Sequence, residues 1–141
     1  MPPYRTIPSN EEPPIVTDVT FSNNVSNENG GAIYNNTSNT TLTNATFTSN
    51  TATANGGAIF NTASNVTLNN ATFTSNTSNL SAVTGGGGGA IYSIGGSSTL
   101  NNATFSSNTA TSDGGAIYNT SVTVQGGRRT IAKKGHQNLI N

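Results

Sequence analysis

The chain has no cysteine and no tryptophan, and only 7% of its 141 residues are charged. Without cysteine there can be neither disulfides nor thiolate metal sites. Five Lys/Arg balance five Asp/Glu at pH 7, so no net charge draws the chain to nucleic acid or an acidic membrane. Hydrophobic residues reach 31%, below the usual share of a soluble domain. No run approaches the roughly 18 apolar residues of a membrane span. The opening MPPYRTIPSNEEPPIV lacks the apolar segment of a secretory leader. If the protein is exported, its signal is expected outside this chain. What is abundant is Asn, Ser and Thr, together 63 residues. Polar, low-complexity chains of this kind ordinarily stay disordered. Here the few apolar residues are periodic, which argues for order.

The period is readable from two tetrapeptides. GGAI begins at Gly30, Gly56, Gly88 and Gly114, with steps of 26, 32 and 26. Phenylalanines stand at Phe21, Phe47, Phe73 and Phe105, and each of the first three GG pairs precedes the next Phe by 17 residues. The whole irregularity is one insertion of six in NLSAVTGGGG, expected to bulge from one corner of a single unit. Around each Phe the columns repeat. Val16, Leu42, Leu68 and Leu100 lie five before, Val19, Ala45, Ala71 and Ala103 two before, and Asn24, Asn50, Asn76 and Asn108 three after. An aromatic residue (Tyr34, Phe60, Tyr92 or Tyr118) follows each GGAI.

Thr, Val and Ile favour extended chain, and Asn, Ser and Gly punctuate it. Three short strands per unit are expected, around TLT, ATF and GAIY. Coils stacked at the strand spacing of about 4.8 Å would pair each strand with its counterpart in the next coil. The expected fold is all-β: a right-handed parallel β-helix, or β-solenoid, of about four coils of 26 residues. The hand follows by analogy with parallel crossovers. Strand parity requires a bend between Leu42 and Ala45, which places Asn44, Asn70 and Asn102, with Asp18 in the first copy, at a corner. Asn tolerates the left-handed backbone of such a corner. Stacked amides there and at the FxxN asparagines would form two ladders, serving as internal supports and leaving Leu, Ala, Phe and Ile to fill a narrow core. One coil alone buries too little to order itself, so only the array is stable.

The paired motifs, GGAI at 30–33, 56–59, 88–91 and 114–117 and FxxN at 21–24, 47–50, 73–76 and 105–108, closely resemble the repeats of the chlamydial polymorphic outer membrane protein family. Similar repeats look common in bacterial surface proteins with pectin-lyase-like β-helices. The resemblance covers residues 15 to about 124. It implies an autotransporter passenger held outside the cell, an adhesin-like rod whose partner is a host or neighbouring-cell surface protein or glycan. It also ties adhesion to the motif residues: Gly30, Gly31, Ala32, Ile33, Gly56, Gly57, Ala58, Ile59, Gly88, Gly89, Ala90, Ile91, Gly114, Gly115, Ala116 and Ile117, with Phe21, Asn24, Phe47, Asn50, Phe73, Asn76, Phe105 and Asn108. The family's export signal and C-terminal barrel are not in this sequence.

No catalytic, cofactor or metal site is expected, and the chain is read as a non-enzyme. Polysaccharide-cleaving β-helices use clustered carboxylates. Glu11, Glu12, Asp18, Glu28 and Asp113 fall at non-equivalent places and read as turn residues. His136, the single histidine, lies in the degenerate tail, away from any Ser-His-Asp arrangement. GGGGG at 85–89 lacks the Lys-Ser/Thr of a phosphate loop. Sequons such as Asn36-Thr37-Ser38 arise by chance in so Asn- and Thr-rich a chain. Two surfaces remain. The aromatic column either packs at the core or lines the outside. Outward Thr46, Thr48, Thr72 and Thr74, with Thr20/Ser22 and Thr104/Ser106, resemble the ice-binding face of some β-helical antifreeze proteins, although exposed strand threonines are the plainer reading. A relict polysaccharide-acting enzyme is the other alternative. Residues 1–14, which hold all five prolines, read as an extended, disordered lead-in, and 125–141 as a degenerate basic tail: a cap over the last coil, or the truncated or frame-shifted end of a longer gene.

Overall fold

In a computed structural model, residues 13–81, 86–119 and 122–125 are described. They form four parallel sheets. Sheet A contains β1 (Ile15–Thr17), β5 (Thr40–Thr43), β9 (Val66–Asn69), β13 (Ser98–Asn101) and β17 (Val122–Gln125). Sheet B contains β2 (Thr20–Ser22), β6 (Thr46–Thr48), β10 (Thr72–Thr74) and β14 (Thr104–Ser106). Sheet C contains β3 (Val25–Ser26), β7 (Thr51–Ala52), β11 (Thr77–Ser78) and β15 (Thr109–Ala110). Sheet D contains β4 (Ile33–Asn36), β8 (Ile59–Thr62), β12 (Ile91–Ile94) and β16 (Ile117–Asn119). The chain visits A, B, C and D in turn and then starts the next coil, making a right-handed parallel β-helix of about four coils.

Like residues stack on like, as the 26-residue period requires. Phe73 pairs with Phe47 on one side and Phe105 on the other. Leu68 lies between Leu42 and Leu100, and Ile59 between Ile33 and Ile91. The six-residue insertion falls between β11 and β12, and both strands keep register with the coils on either side. Part of it, residues 82–85, lies outside the described residues, as do 1–12 and 126–141 with the readings made of them.

Each coil has four strands, not three. The additional one is the two-residue strand of sheet C, which follows the FxxN asparagine. A strand that short, VS, TA or TS, carries no alternation from which to read it.

The corners explain how so tight a coil closes. Each described bend has at least one residue with positive φ. Between sheets A and B these are Asp18, Asn44, Asn70 and Asn102, at φ 52 to 57°; between B and C, Asn23, Ser49, Ser75 and Ser107, at 55 to 57°. Gly30, Gly56, Gly88 and Gly114 turn the chain before sheet D at 66 to 68°. Between D and A, Thr37, Ala63 and Gly95 do the same. Inside lie the Leu, Ala, Phe and Ile columns: Phe47, Phe73, Leu68, Ile59 and Ile91 are all fully buried.

Candidate functional surface

The two repeat motifs are built into the interior. In GGAI the first glycine takes the left-handed turn. The second makes the stacking distance possible: a methyl on Gly57 would overlap the Gly89 carbonyl oxygen of the next coil and come within 2.6 Å of Thr77 backbone atoms. Gly31 and Gly89 face Gly57 and Gly115 in the same way. Ala58, Ile59, Ala90 and Ile91 have no exposed surface. Gly57→Ala is therefore expected to force the second and third coils apart, at a cost of about 1–3 kcal/mol or more. An unchanged urea midpoint would contradict the close approach.

The FxxN asparagines form a buried ladder. Asn50 donates from its backbone N (3.0 Å) and its Nδ2 (2.9 Å) to Asn76 Oδ1. Asn24 does the same to Asn50, and Asn76 to Asn108. The second amide hydrogen of each goes to a Phe carbonyl one coil back: Asn50 to Phe21, Asn76 to Phe47 and Asn108 to Phe73, all at 3.0 Å. Asn50 and Asn76 are completely enclosed. This is how an apolar-poor chain closes its interior, by filling part of it with fully bonded amides.

The corner ladder runs outside, contrary to its expected role as an internal support. Asn44 Nδ2 donates to Asp18 Oδ1 (2.8 Å), Asn70 to Asn44 (3.2 Å) and Asn102 to Asn70 (2.9 Å). All four residues are exposed. The turn of sheet A into sheet B points these side chains away from the axis, while the FxxN position one corner later points in.

Three kinds of row face outward. Threonine and serine hydroxyls line sheet B at Thr20, Thr46, Thr72 and Thr104 and at Ser22, Thr48, Thr74 and Ser106, in register. Thr74 and Ser106 hydroxyls lie 3.1 Å apart. The corner amides form the second row. The third is the aromatic column, which the parity of sheet D sends outward from the buried Ile column. Its rings stack as Tyr34 on Phe60 (5.0 Å), Phe60 on Tyr92 (5.2 Å) and Tyr92 on Tyr118 (4.9 Å), within 16° of parallel. Stacking covers the ring faces: Phe60 is buried between its neighbours, and Tyr34, Tyr92 and Tyr118 stay partly exposed. Burial, with the Tyr118 phenol as second cause, pushes the Tyr92 phenol up from its ordinary value.

The described carboxylates do not converge. Asp18 is held at the corner by Asn44, and Glu28 is exposed beside Ser26. Asp113 forms a bridge with Gly87 in the preceding coil. Among the described residues no three His, Asp or Glu side chains group as metal ligands.

The family model described as the Chlamydia polymorphic membrane protein (Chlamydia_PMP) repeat matches residues 18–36, 44–62, 70–94 and 102–120. Each segment runs from a corner Asn or Asp through FxxN and GGAI into sheet D or just past it. No curated protein and no solved structure matches the chain. The chain belongs to the Chlamydia polymorphic membrane protein repeat family.

Proposed function

We propose that this chain is a non-enzymatic, cell-surface rod module of the autotransporter-passenger type, adhering to a surface protein or glycan of a host or neighbouring cell. The supporting observation is a division of labour along the repeat: in the two middle coils the motif residues are enclosed, and the rows they hold in place repeat outward along the axis. On this reading the GGAI and FxxN residues are positioning residues. Gly57, Ile59, Phe73 and Asn76 set the spacing, while Thr46, Thr48, Thr72, Thr74 and the aromatic edges make contact. Identical weak patches on one rigid axis raise avidity without any single strong site. A neutral rod matches a neutral partner and gives nucleic acid no attraction. Family membership supports placement at the outer membrane or cell surface.

The test is binding of the purified chain to intact cultured cells and to arrays of neutral glycans. The double variant Thr48→Lys/Thr74→Lys is expected to lose binding more than additively while melting unchanged. Full binding by that variant would remove sheet B from the reading. Release of reducing sugar from a polysaccharide would favour the enzyme alternative. Thermal hysteresis lost in the same variant would favour ice binding. Against the latter, outward threonines also occupy sheets A and C, at Thr41, Thr67, Thr99, Thr51, Thr77 and Thr109, as strand propensity alone would place them.

A further inference from the structure

At the corner between sheets D and A the interior turns polar. Asn35 and Asn61 occupy in-register positions of adjacent coils, and both are buried, as are Ser93 and Ser98. The same arrangement in the FxxN ladder gives direct amide-to-amide bonds of 2.9 Å. Here it does not. Asn61 Nδ2 is turned to the Ser64 carbonyl (2.8 Å) and to Ser93 Oγ (3.1 Å). Ser93 takes the asparagine's place in the third coil with a side chain one atom shorter in reach, and the Asn61 amide reaches toward it. Asn35 Oδ1 meanwhile accepts from Thr40 Oγ1 at 3.1 Å. The result is an enclosed donor, Asn35 Nδ2, and an enclosed acceptor, Asn61 Oδ1, with no protein partner, and the Ser98 hydroxyl has none either.

A buried polar group without a partner is strongly disfavoured. Internal water with two to four polar contacts is the usual remedy. We infer that this seam is an internal water-binding site. One water accepts from Asn35 Nδ2 and donates to Asn61 Oδ1, linking the first and second coils. A second bonds the hydroxyls of Ser98 and Ser93. The seam is interrupted between them by Val66, which occupies the Thr40/Ser98 column in the third coil. The first water does for the D–A corner what direct amide bonds do for the FxxN ladder, so the ligand belongs to the scaffold and is expected in every copy of the protein.

A high-resolution crystal structure is expected to show density bridging Asn35 Nδ2 and Asn61 Oδ1. In solution, water-to-amide nuclear Overhauser effects are expected at both side-chain amides. Ser98→Val, which copies Val66, is expected to abolish the second water and leave the melting temperature unchanged, because a hydrated hydroxyl loses little. A direct Asn35-to-Asn61 bond with no water between them would overturn the inference. So would a clear rise in melting temperature for Ser98→Val, the signature of a dry, unbonded hydroxyl. Should that variant fail to fold, the wild-type density and Overhauser effects still decide.

Discussion

Phe73→Ala is expected to lower the unfolding free energy by about 3–5 kcal/mol, the usual range for deleting an aromatic ring from a closed core. Phe73 has no exposed surface, and its ring lies 4.6 Å from Phe47 and 4.9 Å from Phe105, within 5° of parallel to both. It therefore belongs to two coil interfaces at once. In an array stabilised by nearest-neighbour contacts, loss at a middle position weakens both. Phe21 is only partly buried, with one stacked neighbour, so Phe21→Ala is expected to cost clearly less. Urea unfolding followed by circular dichroism measures both. Equal effects at the two positions would place Phe73 outside the middle of the stack.

Asn76→Ala is expected to rival it, at about 2–5 kcal/mol. The cost here is orphaned polarity rather than lost apolar contact. Asn76 Oδ1 accepts both the backbone N–H and the amide of Asn50, and its Nδ2 serves the Phe47 carbonyl. Removing it strands at least two enclosed groups at about 1–3 kcal/mol each. Asn70 supplies the contrast. Its side chain makes two hydrogen bonds, both exposed, where that of Asn76 makes four, all buried. Asn70→Gly, which keeps the left-handed turn, is expected to cost under about 1 kcal/mol, and Asn79→Ala, at an exposed position, almost nothing. Parity between Asn76 and Asn70 would mean that the two ladders are equally buried, contrary to the structure.

Much of this was readable from the chain because a stacked coil writes its contacts into its period. When like touches like, aligning Phe47 with Phe73 aligns the Leu, Ala, Asn and Ile columns as well. The left-handed corner at Asn44 was legible for the same reason, since the residue type suits the backbone it needs. Ser49, Thr37 and Ala63 turn equally sharp corners with residues that carry no such preference. Ala63 accepts a conformation costing roughly 1–2 kcal/mol in an L-residue, imposed by the pairing of sheets D and A on either side. The strands of sheet C are not legible in the sequence because two residues hold no pattern. Which asparagine ladder faced inward depended on the sense of each bend, and parity within a single strand does not supply that.

The candidate contact surface was legible only in outline. Strand parity placed Thr46 and Thr48 opposite Phe47, and the structure agrees. Parity also set the aromatic column against Ile, but a bend after GGAI would have reversed it. The continuous strand Ile59–Thr62 removes that possibility. The motif residues stand out in the sequence because they repeat most faithfully. Their fidelity has a steric cause, since Gly57 has no room for a methyl and Asn76 no spare hydrogen-bonding group.

The central claim is direct axial stacking, and the cysteine-free sequence makes it testable without background. Spin labels attached at Thr46→Cys and Thr72→Cys sit on outward positions paired between β6 and β10. They are expected to show strong dipolar broadening, weakening when the second label moves one coil further, to Thr104→Cys. Sharp, non-interacting spectra from the Thr46/Thr72 pair in folded protein would contradict the fold and everything built on it.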